Sequence, residues 1–442
     1  MYQRNSSSTI RHRGTVAALA SLTLALTACS TGGIAEGNTE DEGGPTPILV
    51  WTGVKGEAEA KLAELVEQYN SSQDDYVVET QFSGPGDQLT AKLLNAVQNE
   101  QGPNMQLGDS TPQMLAQVIE TGKVLPLDDL IDDPEAEISR DSFTEGMLET
   151  GTFDGTVYSL PTEAGDYALV YNKEMFEEAG LEVPTTWDDV AEAAEALTTD
   201  DRYGIYLPIG TGEWPVFTWE TMLWSAGGEL LNEEGTEVAF NSPEGVTALK
   251  TWTDLVDSGV AYPSSLQTDA DGQGIASLQT GQVSMVITGA YNLGILDEAL
   301  GAENVGVATF PEIEVPAMNT GTNNSYILDG TDAEEAGAWD FLQYFLSPDV
   351  QAEWCIASGY LPTNIETAQT ETFTSFVDED PRVQVFVDEL EYARARPSIL
   401  AYSGISAALS TEIEKAMLGK STPEEAIETA AKNAQAALDE QQ

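Results

Sequence analysis

The sequence predicts an α/β fold in which strands alternate with helices, spread over two domains. Ile48–Trp51 and Tyr76–Phe82 are short apolar runs typical of strands, and the helical periodicity of Glu57–Tyr69 and Gln88–Gln98 follows each of them. This alternation predicts a parallel sheet with helices on its faces. About 395 residues follow position 47, more than one hydrophobic core usually organises, so two domains are expected.

The N-terminus has the pattern of a lipoprotein signal peptide. Residues 1–14 carry three arginines and no acid, and the apolar run that follows is too short to span a bilayer. It ends in Leu26–Cys29, which resembles a bacterial lipobox, so we predict residues 1–28 as a signal peptide and Cys29 as the lipidated residue. An ordinary signal peptide with a chance cysteine is the alternative. Residues 29–47 are rich in Gly, Thr and acid, which predicts a disordered tether.

Composition and charge exclude several classes of function. The chain holds 17 basic and 75 acidic residues for a net charge of −58, and loss of the three signal-peptide arginines makes it −61. Because phosphates are neutralised by Lys and Arg, neither nucleic acid nor an anionic membrane surface is an expected partner. There are two cysteines, so if Cys29 carries lipid, Cys355 has no disulfide partner. The single histidine, His12, lies in the predicted signal peptide.

The stretch Leu160–Asp189 is the one around which the rest of the chain is arranged. It opens with a short β-prone run, Tyr167–Tyr171, after which Asn172 is expected to cap a short helix that Gly180 ends. A proline and two threonines then precede a second capped helix from about Trp187. The sequence therefore predicts a strand followed by two helices near the middle of the chain.

Two predicted strands end in polar residues. The first strand ends at Trp51–Lys55, and a later strand-like run ends at Asp109, ahead of a helix over Pro112–Thr121. Ligands of parallel sheets bind beyond the carboxyl ends of the strands, so both ends are candidate parts of a site. A plain N-cap role for Asp109 is an equal alternative.

Glu213 and Trp214 lie in a predicted loop ahead of a helix over Val216–Ala226. A loop tryptophan beside a carboxylate suits a sugar, because the ring packs on C–H groups while the acid accepts hydrogen bonds from hydroxyls. A tryptophan that only packs in the core is the alternative. The three aromatic residues within the helix point to different sides, so we expect some in the core and one at a cleft.

The remaining chain continues the alternation. The predicted strands are Tyr203–Leu207, Val283–Ile287, Gly306–Phe310 and the later part of Thr320–Leu328, and the predicted helices are Glu244–Ser258, Asp271–Gly281, Ala333–Phe345 and most of Asp380–Gln442. Thr320–Leu328 opens as a Gly/Asn loop whose backbone amides are candidates to meet a ligand.

The run AL-x-YNK-x-x-F-x-x-AGL, which starts at Ala168, resembles the extracellular solute-binding proteins (family 1, maltose/oligosaccharide type) of bacterial ABC importers. The W-x-G-x-K-G run that starts at Trp51 and the A-R-x-R-P run that starts at Ala393 resemble the same family. The resemblance covers about Ile48 to Leu438. It implies a two-lobed, type II periplasmic-binding-protein-like fold, a venus flytrap with central mixed sheets flanked by helices. It divides the chain into lobe 1 (48–165 and 306–346) and lobe 2 (166–305 and 347–442).

The resemblance also implies roles for single residues. In the family, the residues matching Lys55 and Asp109 hydrogen-bond sugar hydroxyls, and the aromatic matching Tyr291 stacks on the ligand. Gln106 replaces a usual family aromatic, which would remove one stacking surface. Arg396 has two alternatives, a ligand contact or an ion pair at a helix end. The predicted ligand-binding residues are Trp51, Lys55, Asp109, Glu163, Asp166, Glu213, Trp214, Tyr291, Asn323, Arg396 and Tyr402, with no catalytic residue, metal or cofactor.

The predicted function is a lipid-anchored, monomeric substrate-binding component of an ABC importer on the outer face of the cytoplasmic membrane. It would bind a sugar or oligosaccharide between its lobes, close around it, and deliver it to permease subunits driven by a cytoplasmic ATPase. Glycerol-3-phosphate or a glycerophosphodiester is the alternative ligand. Phosphate sites usually need cationic forks, and only Lys55 and Arg396 are candidates, so a neutral sugar is favoured.

A secreted glycoside hydrolase is the remote alternative. Such enzymes use two carboxylates, but 75 acidic residues make chance pairs unavoidable. The chain also has no G-x-S-x-G, Walker or dinucleotide-binding motif. The sequence therefore predicts a binding protein that is not an enzyme.

Overall fold

The computed structural model describes residues 44–84, 86–210, 212–262 and 270–440. The predicted signal peptide, Cys29 and most of the predicted tether lie outside these described residues. The strands are β1 Thr46–Thr52, β2 Tyr76–Phe82, β3 Met105–Gln106, β4 Thr152–Phe153, β5 Thr156–Val157, β6 Leu160–Gly165, β7 Ala168–Asn172, β8 Tyr203–Tyr206, β9 Ala261–Tyr262, β10 Val283–Thr288, β11 Val305–Ala308, β12 Met318–Ile327 and β13 Ala393–Ala395.

The helices are more numerous than the strands in the described part of the chain. They are α1 Glu57–Ser72, α2 Gly86–Gln98, α3 Pro112–Ile119, α4 Asp128–Ile131, α5 Glu145–Glu149, α6 Lys173–Ala179, α7 Trp187–Leu197, α8 Glu213–Ser225, α9 Pro243–Asp257, α10 Ala270–Gln279, α11 Leu293–Leu300, α12 Asp332–Leu346, α13 Pro348–Ser358, α14 Glu371–Glu379, α15 Pro381–Glu389, α16 Tyr402–Met417 and α17 Pro423–Asp439.

The first large sheet has the strand order β13–β12–β3–β1–β2, and β6 also pairs with β12. β1 is parallel to β2 and β3, as the alternation of strands and helices predicted. β12 runs antiparallel to β3 and β6, and its register with β6 shifts between Asn323 and Asn324. The sheet is therefore mixed, and its irregular pair β6–β12 lies at one side.

The second large sheet has the order β11–β7–β10–β8–β9. β7, the strand of the central stretch, is antiparallel to both β10 and β11, whereas β8 is parallel to β10 and β9. The first large sheet packs on a hydrophobic cluster that includes Ile48 and Phe341, and the second packs on one that includes Leu169 and Trp219. Two large sheets with different main clusters agree with the expectation that about 395 residues need more than one core.

Local signals in the central stretch set the ends of its helices as predicted. The Asn172 side chain accepts a hydrogen bond from the Met175 N–H and begins α6. Gly180 ends α6 in the left-handed region at φ 67°, which costs glycine little. Thr186 and Asp189 form a capping box at the start of α7.

Two sequence predictions of irregular structure were wrong. α8 begins at Glu213 and not at Val216, so Trp214 lies in a first helical turn and not in a loop. Pro215 fits there because the first turn has no acceptor for the N–H that proline lacks. Thr320–Leu328 was expected to open as a loop, yet β12 runs through it, because backbone pairing with β6 and β3 outweighs the low strand propensity of Gly and Asn.

The predicted lobe boundaries stay a prediction, and the packing of two elements bears on them. β11, placed with lobe 1 in the sequence, pairs with β7 of the second sheet. α13, placed with lobe 2, contributes Trp354 and Cys355 to the core of the first sheet. Both elements therefore pack on the sheet of the lobe other than the one assigned to them.

Candidate ligand-binding cleft

A cavity of about 320 Å³ is lined by β6 and β12 of the first large sheet, by α8 and by segments that adjoin strands of the second sheet. The lining residues are Thr111, Gly165, Asp166, Glu213, Trp214, Phe217, Tyr291, Gly321, Thr322, Asn323, Tyr360 and Arg396. Six of the predicted ligand-binding residues are among them, namely Asp166, Glu213, Trp214, Tyr291, Asn323 and Arg396. Residues more than 200 positions apart thus meet at one opening.

Two glycines on paired strands let aromatic rings approach the sheet here. Gly165 of β6 is the register partner of Gly321 of β12. A Cβ on Gly165 would lie 3.2 Å from the Tyr360 ring, and one on Gly321 would lie 3.4 Å from the Phe217 ring. These distances are close to the limit for carbon contacts, so the glycines define the width of the cavity.

Asp166, between β6 and β7, is 2% exposed and lines the cavity. Neither of its carboxylate oxygens accepts a hydrogen bond from another described residue. Burial, with a smaller effect from the charge of Glu389, raises the pKa of the Asp166 carboxyl well above its ordinary value. A buried carboxyl group without hydrogen-bond partners has a bonding capacity that only a ligand or water can use.

Arg396 and Glu213 form an ion pair at the cavity wall. The Arg396 side chain is 5% exposed and its guanidinium donates to Glu213, which is 43% exposed. The guanidinium carbon also lies 4.7 Å from the centroid of the Phe217 ring. Arg396 Nε has no partner among the described residues. The cavity wall therefore holds one pair of opposite charges, and the cation of that pair has one buried donor without a partner among the described residues.

A buried hydrogen-bond network lies behind that ion pair. The Tyr402 hydroxyl is 3.0 Å from Glu213 Oε1 and 2.7 Å from Glu220 Oε1. Ser406 Oγ donates to Glu213, and Asn319 Nδ2 donates to Glu220 Oε2 at 2.8 Å. Burial, and then the charge of Glu213, raise the pKa of Glu220 to about 8. Tyr402, predicted to touch ligand, is fully buried and acts at one remove from the cavity.

Glu163 lies beside the cavity and is already satisfied. Its two oxygens accept hydrogen bonds from Asn323 Nδ2 and from Trp354 Nε1, both at 2.7 Å. Burial raises the pKa of Glu163 to about 7, against the lowering effect of these donors. Glu163 therefore orients Asn323, which lines the cavity itself.

Aromatic rings form two faces of the cavity. Tyr291 and Tyr360 stack with their centroids 5.1 Å apart and their planes at 22°. The ring centroid of Trp214 lies 5.7 Å from that of Phe217 and 5.5 Å from that of Tyr167. Exposed ring faces next to buried carboxylates can hold a ligand that has both C–H and hydroxyl surfaces.

Besides Glu163 and Tyr402, three predicted contacts lie outside the cavity wall. Trp51 is 6% exposed and packs in a core cluster beneath Lys92, whose Nζ lies 4.5 Å from its ring centroid. Lys55 is exposed and pairs with Glu59 at 2.6 Å. Asp109 accepts a hydrogen bond from the Gly86 N–H at 2.6 Å. The cap of the helix after it is Thr111, so the N-cap alternative for Asp109 is wrong.

Several residues of the cleft were not among the predicted site residues. Phe217 and Tyr360 line the cavity, and Glu220 and Asn319 support it from beneath. Glu220 follows Glu213 by seven positions, which puts both carboxylates on one face of a helix and was a usable signal. Tyr360 and Asn319 carry no comparable pattern, because tertiary packing alone brings them here.

Gln106, the residue in place of a family aromatic, is buried and not part of the cavity wall. It accepts a hydrogen bond from the Tyr326 hydroxyl and donates to the Gly108 carbonyl.

Within the described ranges, no helix combines the length and apolar character that a membrane crossing requires.

Comparison with known proteins gives close matches along most of the chain. A binding protein of Brucella abortus (strain 2308) is 29% identical over 359 residues, 80% of this chain and 84% of that one. The structure of the cyclic α-maltosyl-1,6-maltose binding protein of Arthrobacter globiformis has a TM-score of 0.78 at 28% identity, over 90% of this chain and 100% of that one. UgpB of Mycobacterium tuberculosis in complex with glycerophosphocholine has a TM-score of 0.78 at 19% identity, with the same coverage of 90% and 100%.

These structural matches confirm the two-lobed type II fold that the sequence predicted. The family model for bacterial extracellular solute-binding proteins matches residues 64–384. The protein is accordingly the substrate-binding component of an ABC importer, acts outside the cytoplasm with permease and ATPase subunits, and is not an enzyme. A match over more than half of its length means that the chain belongs to the bacterial extracellular solute-binding proteins.

Proposed function

We propose that the protein binds a sugar or oligosaccharide in the cavity between its sheets and delivers it to the permease. The observation that carries this proposal is Asp166, a carboxylate that is 2% exposed and has no hydrogen-bond donor from another described residue. Sugar hydroxyls are donors that would satisfy it, and an unsatisfied buried carboxylate is costly. The ring faces of Tyr291 and Trp214 would pack on the C–H surface of the same ligand.

Charge argues for a sugar over a glycerol phosphate. The two carboxylates in the cavity wall, Asp166 and Glu213, face one cation, Arg396, and that cation is already paired. Lys55, the other candidate cation, pairs with Glu59 on the surface. A phosphate would therefore meet no free cationic fork among the residues that line the cavity.

Glycerol-3-phosphate or a glycerophosphodiester is the second candidate. Arg396 Nε is a buried donor without a partner among the described residues, and it could serve a phosphate oxygen. The M. tuberculosis protein bound to glycerophosphocholine has the same fold, although 19% identity carries the fold alone. Ligand screening has to separate these two classes.

The lobes of the proposed binder would close around the ligand. In the predicted division, 48–165 with 306–346 form one lobe and 166–305 with 347–442 the other. We further propose, on the packing of β11 and α13, that 305–308 belong with the second lobe and 348–358 with the first. Tyr291 follows β10 of the second sheet and Tyr360 follows α13, so their stacked rings would join the lobes beside the ligand.

A thermal-shift screen of residues 30–442 tests the ligand. Mono- and oligosaccharides and glycerol phosphates are added separately, because a ligand that binds only the folded state raises the melting temperature. We expect a rise with neutral glycans and none with phosphates, and its loss in Asp166→Asn but not in Asp254→Asn, the same change at an exposed ion pair. A rise with glycerol phosphates alone would replace the sugar proposal by the second candidate.

The proposed lipid anchor is on Cys29. Metabolic labelling of expressing bacteria with an alkyne fatty acid should mark the wild-type chain, and Cys29→Ala should lose the label and leave the membrane fraction. Cys355→Ala is the matched control, because Cys355 is a buried free thiol that should carry no lipid. Labelling that persists in Cys29→Ala would contradict the anchor.

A further inference from the structure

We propose that Glu220 is a positioning residue, which holds a proton beneath the cleft and through Tyr402 keeps Glu213 aligned on Arg396 for ligand binding. Glu220 is 0% exposed and does not line the cavity, so its effect on a ligand must pass through other side chains. The inference rests on the proposed function, because Glu213 and Arg396 are taken as parts of the ligand site.

The count of hydrogens in the network requires an extra proton. The Tyr402 hydroxyl lies 2.7 Å from Glu220 Oε1 and 3.0 Å from Glu213 Oε1. A phenol carries one hydrogen and can donate to only one carboxylate. Both contacts are hydrogen bonds only when one acid is protonated and donates to the phenol oxygen, while the phenol donates to the other acid.

The surroundings place that proton on Glu220. Glu213 is 43% exposed, pairs with Arg396 and accepts from Ser406 Oγ, all of which favour its ionised form. Glu220 is fully buried, and no cation in the described part of the chain forms an ion pair with it. If it is protonated at Oε1, its Oε2 still accepts from Asn319 Nδ2 at 2.8 Å. The chain of donors then runs from Glu220 to Tyr402, from Tyr402 to Glu213, and ends at Arg396.

The groups that face Glu220 come from five segments of the chain. Glu213 lies on the same helix, Asn319 on β12, Tyr402 on α16, and Tyr167 just before β7. Arg396 follows β13, and its charge lowers the pKa of Glu220. Burial and the charge of Glu213 together outweigh it, and the resulting pKa of about 8 keeps Glu220 protonated at neutral pH.

Loss of this proton would disturb the cavity wall. An ionised Glu220 accepts the Tyr402 hydrogen, so Glu213 loses one of its two fixed donors beside Arg396. Ionised Glu220 also adds a second negative charge, after that of Glu213, to a buried cluster whose cation is Arg396. The contribution of Glu220 to ligand affinity should therefore be lost as the pH rises through about 8.

Calorimetric titration of the full chain with maltotriose, from about pH 6 to about pH 9, tests this dependence. We expect wild-type affinity to fall by about tenfold over the alkaline part of this range. Glu220→Ala should bind more weakly at every pH. Glu220→Gln should recover much of that loss, because its amide donates permanently to Tyr402, and its affinity should lack the part of the alkaline fall that Glu220 causes through about pH 8. Asp254→Asn, a change at an exposed ion pair, should keep the wild-type profile.

A second measurement needs no ligand. A carboxyl with a raised pKa in the folded state stabilises fully below its unfolded pKa of about 4.5 and loses that contribution as the pH rises through its folded pKa of about 8. The melting temperature of wild type should therefore fall more steeply between these values than that of Glu220→Gln. The difference survives even if no sugar binds.

The outcomes separate the two ideas. Parallel melting profiles of wild type and Glu220→Gln would overturn the buried proton, whatever the ligand. Diverging melting profiles with pH-independent maltotriose affinity in wild type would overturn the positioning role while the sugar function stands. If no sugar binds and a glycerol phosphate does, the proposed function fails, and the melting profiles still decide whether Glu220 holds the proton.

Discussion

Asp166 and Glu213 are carboxylates in the wall of one cavity, yet their surroundings are opposite. Asp166 is 2% exposed and accepts no hydrogen bond from another described residue. Glu213 is 43% exposed and receives donors from Arg396, Tyr402 and Ser406. The carboxyl group that is shielded from water, Asp166, is the one without hydrogen-bond partners, although stability alone would favour partners for a buried polar group.

The difference separates two roles within one site. A carboxylate held by three partners has a fixed position and offers the ligand a rigid wall. A buried carboxylate without partners is costly to the empty protein and gains most when a ligand donates to it. We infer that the Glu213 side of the cavity supplies shape and the Asp166 side supplies affinity.

The largest expected effect of breaking this arrangement is on stability, at the Glu213 side. Glu213→Ala leaves the Arg396 guanidinium buried without its counter-ion, and we expect a loss of about 2–3 kcal/mol in the free energy of unfolding in urea. The estimate is at the lower end of the range for buried pairs because Glu213 is 43% exposed. Glu229→Ala removes the partner of the exposed Arg394 and should cost less than about 1 kcal/mol. Equal losses would remove the distinction.

The Asp166 side should respond in affinity and not in stability. Asp166→Asn should weaken sugar binding by about 1–3 kcal/mol, because the amide replaces one acceptor oxygen by a donor. Its melting temperature without ligand should stay level or rise, since the wild-type carboxyl has no hydrogen bond from another described residue to lose. Titration calorimetry and a melting curve measure the two effects. A lower melting temperature with unchanged affinity would assign Asp166 a structural role.

The stacked ring of Tyr291 should contribute less to the binding free energy of the ligand than Asp166 does. Tyr291→Ala removes a ring that lines the cavity and stacks on Tyr360, and we expect about 1 kcal/mol less binding energy. Tyr291→Phe keeps the ring and should bind nearly as well as wild type. Tyr392→Ala, at a tyrosine that is 42% exposed, is the matched control. If Phe and Ala variants bind equally weakly, the hydroxyl and not the ring face is what matters.

The smallest expected effect is at Lys55. Its ion pair with Glu59 has 52% and 51% of the two side chains exposed, and it lies outside the cavity wall. Lys55→Ala should change sugar affinity by less than about 0.5 kcal/mol. A loss as large as that of Asp166→Asn would mean that the closed, ligand-bound form recruits Lys55, as the family resemblance implied.

Much of the fold could be predicted from local sequence, because the signals are local. Asn172, Gly180 and Thr186 act on backbone groups within four residues of themselves, and their helices begin and end where expected. The glycine- and asparagine-rich part of β12 was misjudged because its strand pairing comes from segments over 150 positions away. Propensity does not describe such pairing.

The site was predictable to the extent that its residues carry chemistry at strand or helix ends. Asp166 and Tyr291 follow that rule and line the cavity. Trp51 is also near a strand end, but it does not line the cavity. Val50 and Trp51 are both buried, so the alternation of side chains along β1 does not indicate which of them faces the cleft. Lys55 lies two residues before α1 and has an acid, Glu59, four positions later in the first turn of that helix, and this local pair is the contact that forms in the structure.

The placement of Trp214 has a consequence for optical measurement. Seven of the eight tryptophans are buried, and the eighth, Trp214, lies partly exposed in the wall of the cavity. Solute that enters the cleft would displace water from this indole and leave the other seven in unchanged packing. The tryptophan fluorescence of the protein should therefore combine a constant emission from the seven buried indoles with an emission from Trp214 that changes when ligand binds. The native chain then reports ligand binding in the cavity without an added label.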